Sequence, residues 1–322
     1  MSLPPNLKQA IEEELQTSGT NTLAQAREEL SDRYRNQKSP YRSSFMSSNT
    51  HRLSYLATRM PATYAAVYKA LSATHERSTL LSVKSILDVG AGPGTASWVA
   101  VELYPEIEKL TLMERDTDLI AIGKRLMANG QHPIFQQAQW MPTNLEQTHS
   151  LPEHDLIILS YVIGELSPEV QQKLVSACFA AAKLLIIIEP GTPAGFNRIR
   201  NLRTTLLQQN AHMVAPCPHT HECPMKGNNW CHFTARLERS AVHRQVKNAD
   251  LGYEDEKFSY LAVSKEKLIL PEARIILPPL KRSGHIHVTL CTNEGIQEKT
   301  VSKRNPEEFR QVKKCDLGDA IV

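Results

Sequence analysis

Cysteine is scarce in this chain, six in 322 residues, too sparse for the disulfide framework of a small secreted protein. Aromatic residues make up only 6%. Long apolar runs are missing too: the longest, around Leu184–Ile188, is strand-length, far below the roughly 18 residues of a membrane-spanning helix. Nor is there an excess of one charge. Thirty-seven basic against 34 acidic residues leave +3, too little by itself to argue for nucleic acid. The opening MSLPPNLKQAIEEEL has neither the basic-then-apolar pattern of a signal peptide nor the acid-poor composition of an organellar leader. The chain is 41% apolar and 22% charged, an ordinary globular composition long enough for one large domain or two moderate ones. A soluble cytoplasmic monomer with reduced thiols and no membrane attachment is the expectation.

Charge and thiols are unevenly spread. Between Pro190 and Asp250 lie eight basic residues (Arg198, Arg200, Arg203, Lys226, Arg236, Arg239, Arg244, Lys247) and three acids (Glu222, Glu238, Asp250). That local +5 leaves −2 elsewhere, and the same stretch holds three of the six cysteines and five of the twelve histidines.

Residues 1–80 read as a helical region packed on the adjoining domain. Ile11, Leu15, Leu23, Leu30 and Tyr34 keep helical spacings, Thr22 is an N-cap candidate and Ser39–Pro40 a break. A further helix from about His51 carries Leu53, Leu56, Met60, Tyr64, Val67 and Leu71 on one stripe, with Pro61 as a potential kink. From Lys84 the texture changes. Ser85–Val89, Lys109–Met113, Leu156–Ser160 and Leu184–Ile188 look like buried parallel strands, and Leu119–Met127 and Pro168–Ala182 like the helices between them. The alternation predicts a doubly wound α/β sheet over about 81–265. Phe258–Val263, Arg274–Leu277 and His285–Cys291 are strand-like; those beyond 266 either complete the main sheet or form a small β extension through 322. The tail from Glu298 reads as solvated.

The first chemical signal follows the first strand: Ile86-Leu-Asp-Val-Gly-Ala-Gly-Pro-Gly-Thr95. Gly90, Gly92 and Gly94 allow a tight turn and a close backbone approach to a ligand, and the next helix presents its N-terminal amides. The spacing is GxGxG, not the GxGxxG of dinucleotide folds. Asp88 would repel a pyrophosphate and attract an amino-acid ammonium. Glu114, closing the second strand, is placed to accept both hydroxyls of a ribose. Together these residues resemble the class I S-adenosylmethionine-dependent methyltransferases. Gln139-Trp140, read as following the third strand, is a candidate adenine contact, with a core Trp as the equal reading. Ser160 ends the fourth strand and completes the candidate cofactor set. The stretch after it, Ser160-Tyr161, lacks the Asn/Asp-Pro-Pro-aromatic motif of amino-group methylases and the cysteine nucleophile of cytosine C5 methylases. No catalytic residue is assigned; Glu165 as a base competes with a solvated or capping role.

The sharpest feature is Cys217, Cys223 and Cys231, at C-x5-C-x7-C, two of them followed by proline. Proline after cysteine suppresses helix and recurs near iron–sulfur thiolates. Structural zinc favours close C-x2-4-C pairs, which this spacing lacks. The trio therefore reads as a metal site, an iron–sulfur cluster ahead of zinc. Cys291 is the first choice for fourth ligand, with Cys178, Cys315, His219, His221 and His232 as rivals; Cys178 reads as core and Cys315 as a free thiol.

Glu189-Pro-Gly-Thr-Pro-Ala-Gly-Phe196, Ala215-Pro-Cys-Pro-His219, Cys223-Pro, Trp230-Cys-His-Phe233, Arg236–Ser240 and Tyr253–Tyr260 follow one another in an order that resembles the methyltransferase-like family associated with the small ribosomal subunit of bacteria and mitochondria. Leu30–Arg35 and Arg59–Tyr64 match it upstream. That resemblance implies a class I fold, an assembly role at the small subunit and its rRNA, and a 4Fe–4S cluster on Cys217, Cys223, Cys231 and Cys291. Those ligands span the insert 211–236 and the C-terminal strands. The resemblance carries two functional readings: methyl transfer to rRNA or a ribosomal protein, and S-adenosylmethionine and rRNA binding without transfer.

Overall fold

A computed structural model describes residues 1–36, 46–148 and 150–321. Three helices come first: α1 (Pro5–Leu15), α2 (Thr20–Asn36) and α3 (Asn49–His75). Thr22 lies in the first turn of α2, not at its cap; Ser39–Pro40 falls outside the described residues. The Ser48 side chain caps α3 by accepting from the His51 amide. Pro61 sits inside α3, which continues through it.

The main sheet is built from β1 (Ser85–Val89), α4 (Thr95–Leu103), β2 (Lys109–Glu114), α5 (Thr117–Ala128), β3 (Gln139–Pro142), β4 (His154–Ser160), α6 (Pro168–Ala181), β5 (Ala182–Pro190), α7 (Pro193–Gln208), β6 (His212–Ala215), β7 (Phe233–Glu238), α8 (Ala241–Lys247) and β8 (Tyr253–Ser264). Strand order is β3-β2-β1-β4-β5-β8-β6; β1 to β5 run parallel and β8 is inserted antiparallel between β5 and β6. Because successive side chains alternate across a strand, the Ile/Leu-rich runs feed two cores. Ile86, Leu156, Ile158, Leu184 and Ile186 join Leu7, Leu53, Met60, Val67 and Val99 on one face. Leu87, Val89, Ile157, Leu185 and Ile187 join Leu174, Val175, Ile199 and Leu206 on the other. The N-terminal helices thus share a core with the parallel strands, with α3 lying on α4 and β8.

Beyond β8 the chain leaves this sheet. β9 (Ala273–Ile275), β10 (Leu280–Lys281), β11 (His285–Thr292), β12 (Gly295–Ser302) and β13 (Ala320–Ile321) form a separate antiparallel sheet, covered by α9 (Pro306–Lys314). Its own small core contains Ile275, Ile286, Val288, Val301, Phe309 and Val312. The segment from Glu298, expected to be a solvated tail, is therefore strand and helix. β12 exposes most of its side chains, which is why its pattern reads as solvent-facing, but its backbone pairs with β11 along the full length.

β8 organises the cysteine segment. One edge pairs with β5 from Phe258 to Ser264. The other edge is shared: β7 takes Tyr253–Phe258 and β6 takes Ala262–Ser264. β6 and β7 thus act as one edge strand with a gap opposite Ser259–Leu261, and the loop 216–232 bulges out of that gap.

Candidate functional site: a glycine turn and a four-thiol cavity

The C-terminal ends of β1, β2 and β4 lie side by side, and the glycine turn closes over them. Gly90, Gly92 and Gly94 have φ of 71°, 56° and 85°, conformations in which a Cβ is strained. A Cβ on Gly90 would come within 2.3 Å of Val162, whereas one on Gly92 would meet nothing within 4 Å. The inner glycine is needed for packing; the outer one faces open space.

The two acids hold this turn in shape. Glu114 Oε2 accepts from the Gly92 amide at 2.9 Å, and its Oε1 accepts from the Arg115 and Asp116 amides at 2.7 and 2.8 Å. Asp88 is 1% exposed; its Oδ2 accepts from the Ser97 amide and hydroxyl at 3.1 and 2.8 Å, tying β1 to the first turn of α4. Burial pushes the Asp88 carboxyl up to about 7, against the pull of Ser97.

Gln139 and Trp140 lie within β3, not after it: Gln139 pairs with Thr111, three residues below Glu114. The Trp140 ring packs on Gly123 of α5 and beside Gly94, the core position weighed in the sequence. The residues that do follow β3 beside Glu114 are Thr143, whose amide donates to the Glu114 carbonyl, and Asn144. The strand is four residues long and largely exposed, so no apolar run marks where it ends.

Ser160 ends β4 as expected, and Tyr161 follows with φ 58°. Its hydroxyl donates to Glu256 Oε1 at 3.0 Å, and Glu256 is held by both terminal nitrogens of Arg59 at 3.1 and 2.9 Å. Burial and the neighbouring Glu256 carboxylate push the Tyr161 phenol well above its usual range, so it is a donor locked into structure rather than a base. Glu165 lies in the short 3-10 turn Ile163–Glu165 after it.

The second site is the thiol cavity. Cys217, Cys223 and Cys231 from the 216–232 loop and Cys291 from β11 all line one cavity of about 50 Å³, beside Arg203, His219, Tyr260 and Arg274. Ser259 Oγ, at the gap in the β8 edge, donates to the Cys231 carbonyl at 2.8 Å. Burial raises the Cys217 and Cys231 thiols, and it pushes Cys291 up to about 12; the neighbouring cysteines add to the rise for Cys231 and Cys291. His219 Nε2 lies 3.5 Å from Cys291 Sγ. Among the described residues no group of three or more His, Cys, Asp or Glu stands gathered around one point as a single ion would need. The four cysteines share the lining of one cavity. Cys178 is fully buried in α6 and Cys315 bonds the Gln311 carbonyl, so neither reaches it.

The local +5 does not form a continuous free patch. Arg198 pairs with Glu189, Arg236 with Asp255, and Arg239 and Lys247 with Glu254. These three acids, Glu189, Glu254 and Asp255, lie just outside the stretch over which the charge was counted. Arg200, Lys226 and Arg244 alone carry exposed or half-buried charge without a carboxylate partner there among the described residues.

A parallel β3-β2-β1-β4-β5 sheet with one reversed strand between β5 and β6, and a GxGxG turn after β1, defines a class I methyltransferase fold. Residues 49–322 match the family described as mitochondrial small ribosomal subunit Rsm22, and the chain belongs to that family. Two mitochondrial Rsm22-cox11 tandem proteins of Schizosaccharomyces pombe are each 24% identical to it over 323 residues, covering 83% of this chain and 42% of theirs. The mitochondrial ribosome assembly protein METTL17 of Homo sapiens is 23% identical over 295 residues, covering 84% of this chain and 62% of its own. The chain thus spans less than two thirds of the length of these relatives. Among solved structures, an O-methyltransferase family protein from Burkholderia thailandensis overlaps with a TM-score of 0.46 at 11% identity, over 77% of this chain and 72% of that one. That overlap is too low to bear on function, and the class rests on the strand order. No helix among the described residues is long and apolar enough to cross a membrane.

Proposed function

We propose that this protein is an S-adenosylmethionine-binding, methyltransferase-like factor that acts in assembly of the small ribosomal subunit and carries a 4Fe–4S cluster on Cys217, Cys223, Cys231 and Cys291. The observation that carries the reading is the convergence of three loop thiols and one strand thiol, 60 residues further on, upon a single cavity. Four thiols are the donor set of a tetrathiolate centre, and the C-x5-C-x7-C spacing with proline after two of the cysteines suits a cluster better than zinc. When bound, such a cluster would tie the loop to the small sheet, coupling metal binding to folding.

The glycine turn supports the cofactor half of the reading. Gly92 leaves open space beside Glu114, and Asp88 Oδ1 accepts no hydrogen bond among the described residues, so it is available to an ammonium. In this reading Asp88 and the Gly90–Gly94 turn hold the amino-acid end and Glu114 the ribose. Ser160 ends β4, the strand paired with β1, and completes the set in this reading. Trp140 supports the turn from below, and Gln139 is the weakest member of the set.

A second reading, binding without methyl transfer, is favoured by Tyr161. The place after β4 where transfer chemistry is expected is occupied by a phenol already committed to Glu256 and Arg59. Small-subunit association ties both readings to the names of the relatives. Those relatives are mitochondrial, and we place this chain with the ribosome it serves. Anaerobic purification followed by iron, zinc and sulfide analysis tests the cluster, and iron with sulfide near four of each per chain is expected. Loss of a methyl group from rRNA or a small-subunit protein in a deletion strain decides between the two readings; cosedimentation with the small subunit is expected under both.

A further inference from the structure

Three arginines line the thiol cavity: Arg200 is half-exposed, whereas Arg203 and Arg274 are buried, and neither of these two has a carboxylate partner. Arg203 is 5% exposed and Arg274 is 3% exposed. Each spends part of its fork on the backbone of the cysteine loop, from a different element of the fold. Arg203, on α7, donates through Nη2 to the His219 and His221 carbonyls at 2.9 and 2.7 Å. Arg274, on β9, donates through Nε to the Pro216 carbonyl at 2.9 Å and through Nη1 to the Gly318 carbonyl at 2.6 Å. Each also keeps a buried nitrogen with no partner, Nε of Arg203 and Nη2 of Arg274.

Carbonyls satisfy donors but do not neutralise charge. Two buried guanidiniums without an anion are costly, and an arginine cannot shed its proton to escape. Arg77 adds positive charge within electrostatic reach of Arg274, balanced by the adjacent Glu76. Arg200 reaches solvent, but neutral thiols supply nothing to offset the +2 of the buried pair. Four thiolates around a dicationic centre do: their sum is −2, whether the centre is a 4Fe–4S core in its 2+ state or one zinc ion.

We infer that Arg203 and Arg274 are the counter-charges of a doubly anionic tetrathiolate centre, positioning residues that select its net charge while clasping the loop that carries three of its ligands. This rests on the thiol-site reading above. Cys291 and Arg274 are direct partners on β11 and β9, so ligand and counter-charge enter the cavity from adjacent positions of one small sheet. For a redox-active cluster the consequence is directional. Accepting one electron from an external reductant takes the site from −2 to −3, which nearby positive charge favours. Removing either guanidinium therefore moves the midpoint potential to a more negative value.

The full chain and its R203Q, R203K, R274Q and R274K variants are purified anaerobically and assayed for iron, zinc and sulfide. Circular dichroism establishes that each is folded, metal release is timed against a chelator, and cluster potentials come from a dithionite titration followed by electron paramagnetic resonance. The expected result is release about 10–100-fold faster in both Gln variants, with a more negative potential wherever iron is retained. The Lys variants should recover the potential while still releasing metal faster, because charge returns without the fork. If wild type holds zinc, the release rates alone carry the test. Folded Gln variants that match wild type in release and potential overturn the inference and leave the thiol site standing. A wild type with neither iron and sulfide nor zinc overturns the thiol-site reading, and the inference with it.

Discussion

Arg274 and Cys291 face each other directly across antiparallel β9 and β11, so one guanidinium and one thiol project from the same side of the small sheet into the cavity that also receives Cys217, Cys223 and Cys231. Directly opposed residues on such strands sit side by side on one face. This pairing makes the C-terminal sheet a wall of the site rather than an appendage to the main fold.

Cys291→Ser should therefore uncouple the loop from the small sheet without unfolding the main sheet. Limited proteolysis is expected to cut within residues 218–229 several-fold faster than in wild type, while far-ultraviolet circular dichroism stays unchanged. Equal cutting rates would show that the loop is held without Cys291.

Gly92→Ala and Gly90→Ala should separate binding from stability. Both place a Cβ at positive φ, a strain of about 1 kcal/mol. Only at Gly90 does that Cβ also collide with Val162, adding an overpacking cost of about 1–3 kcal/mol. Thermal melting should show Gly90→Ala markedly destabilised and Gly92→Ala nearly intact. Isothermal titration with S-adenosylmethionine should show Gly92→Ala weakened at least as much, because its methyl enters the open side of the turn.

Asp88 predicts a pH dependence of cofactor binding. Burial raises its folded-state carboxyl to about 7 from an unfolded value of about 3.9. Its contribution to stability is therefore full below the unfolded value and lost as pH rises through the folded one. A bound ammonium reverses the preference, since it favours the ionised carboxylate. Affinity for S-adenosylmethionine should rise from about pH 6 to about pH 7.5, with proton release on binding at the lower pH. A flat profile, or an unchanged one in Asp88→Asn, would separate Asp88 from the ligand.

Glu254 predicts the opposite sign for the fold itself. Burial alone would raise its pKa, but hydrogen bonds from His243 and Lys247 outweigh burial and hold it far below the usual carboxylate range; Arg239 pairs with the same carboxylate. Its stabilisation is present above the unfolded value of about 4.3 and disappears as pH falls toward the folded one. Glu254→Gln should cost about 2 kcal/mol at neutral pH, the worth of a hydrogen bond to a charged group, and chemical denaturation should show that gap closing as the buffer is taken below about pH 4.

The main sheet was legible in the sequence because its central strands are buried on both faces. Such strands are near-continuous Ile/Leu/Val runs, and the observed β1, β2, β4 and β5 contain the expected segments. β3 and β12 were less so: one is short and exposed at the sheet edge, the other shows most side chains to solvent, so neither leaves an apolar pattern. For the same reason Gln139-Trp140 was expected one strand-length later than it lies. Charge was misleading in another way. A sum along residues 190–250 omits Glu189, Glu254 and Asp255, which lie close in the sequence and closer in space.

By itself the sequence determined the chemistry available: a glycine turn after a buried strand, an acid ending the next strand, three thiols in a proline-broken loop, and a fourth far downstream. These follow from local steric rules and residue type. Tertiary structure decided which of them meet. The gap along β8 ejects the cysteine loop, the β9–β11 register brings Cys291 to it, and Arg203 and Arg274 arrive from two separate elements to leave unpaired positive charge at the cavity. Long-range pairing sets those positions, and uncompensated buried charge is a property of the assembled cavity, so neither leaves a trace in spacing along the chain.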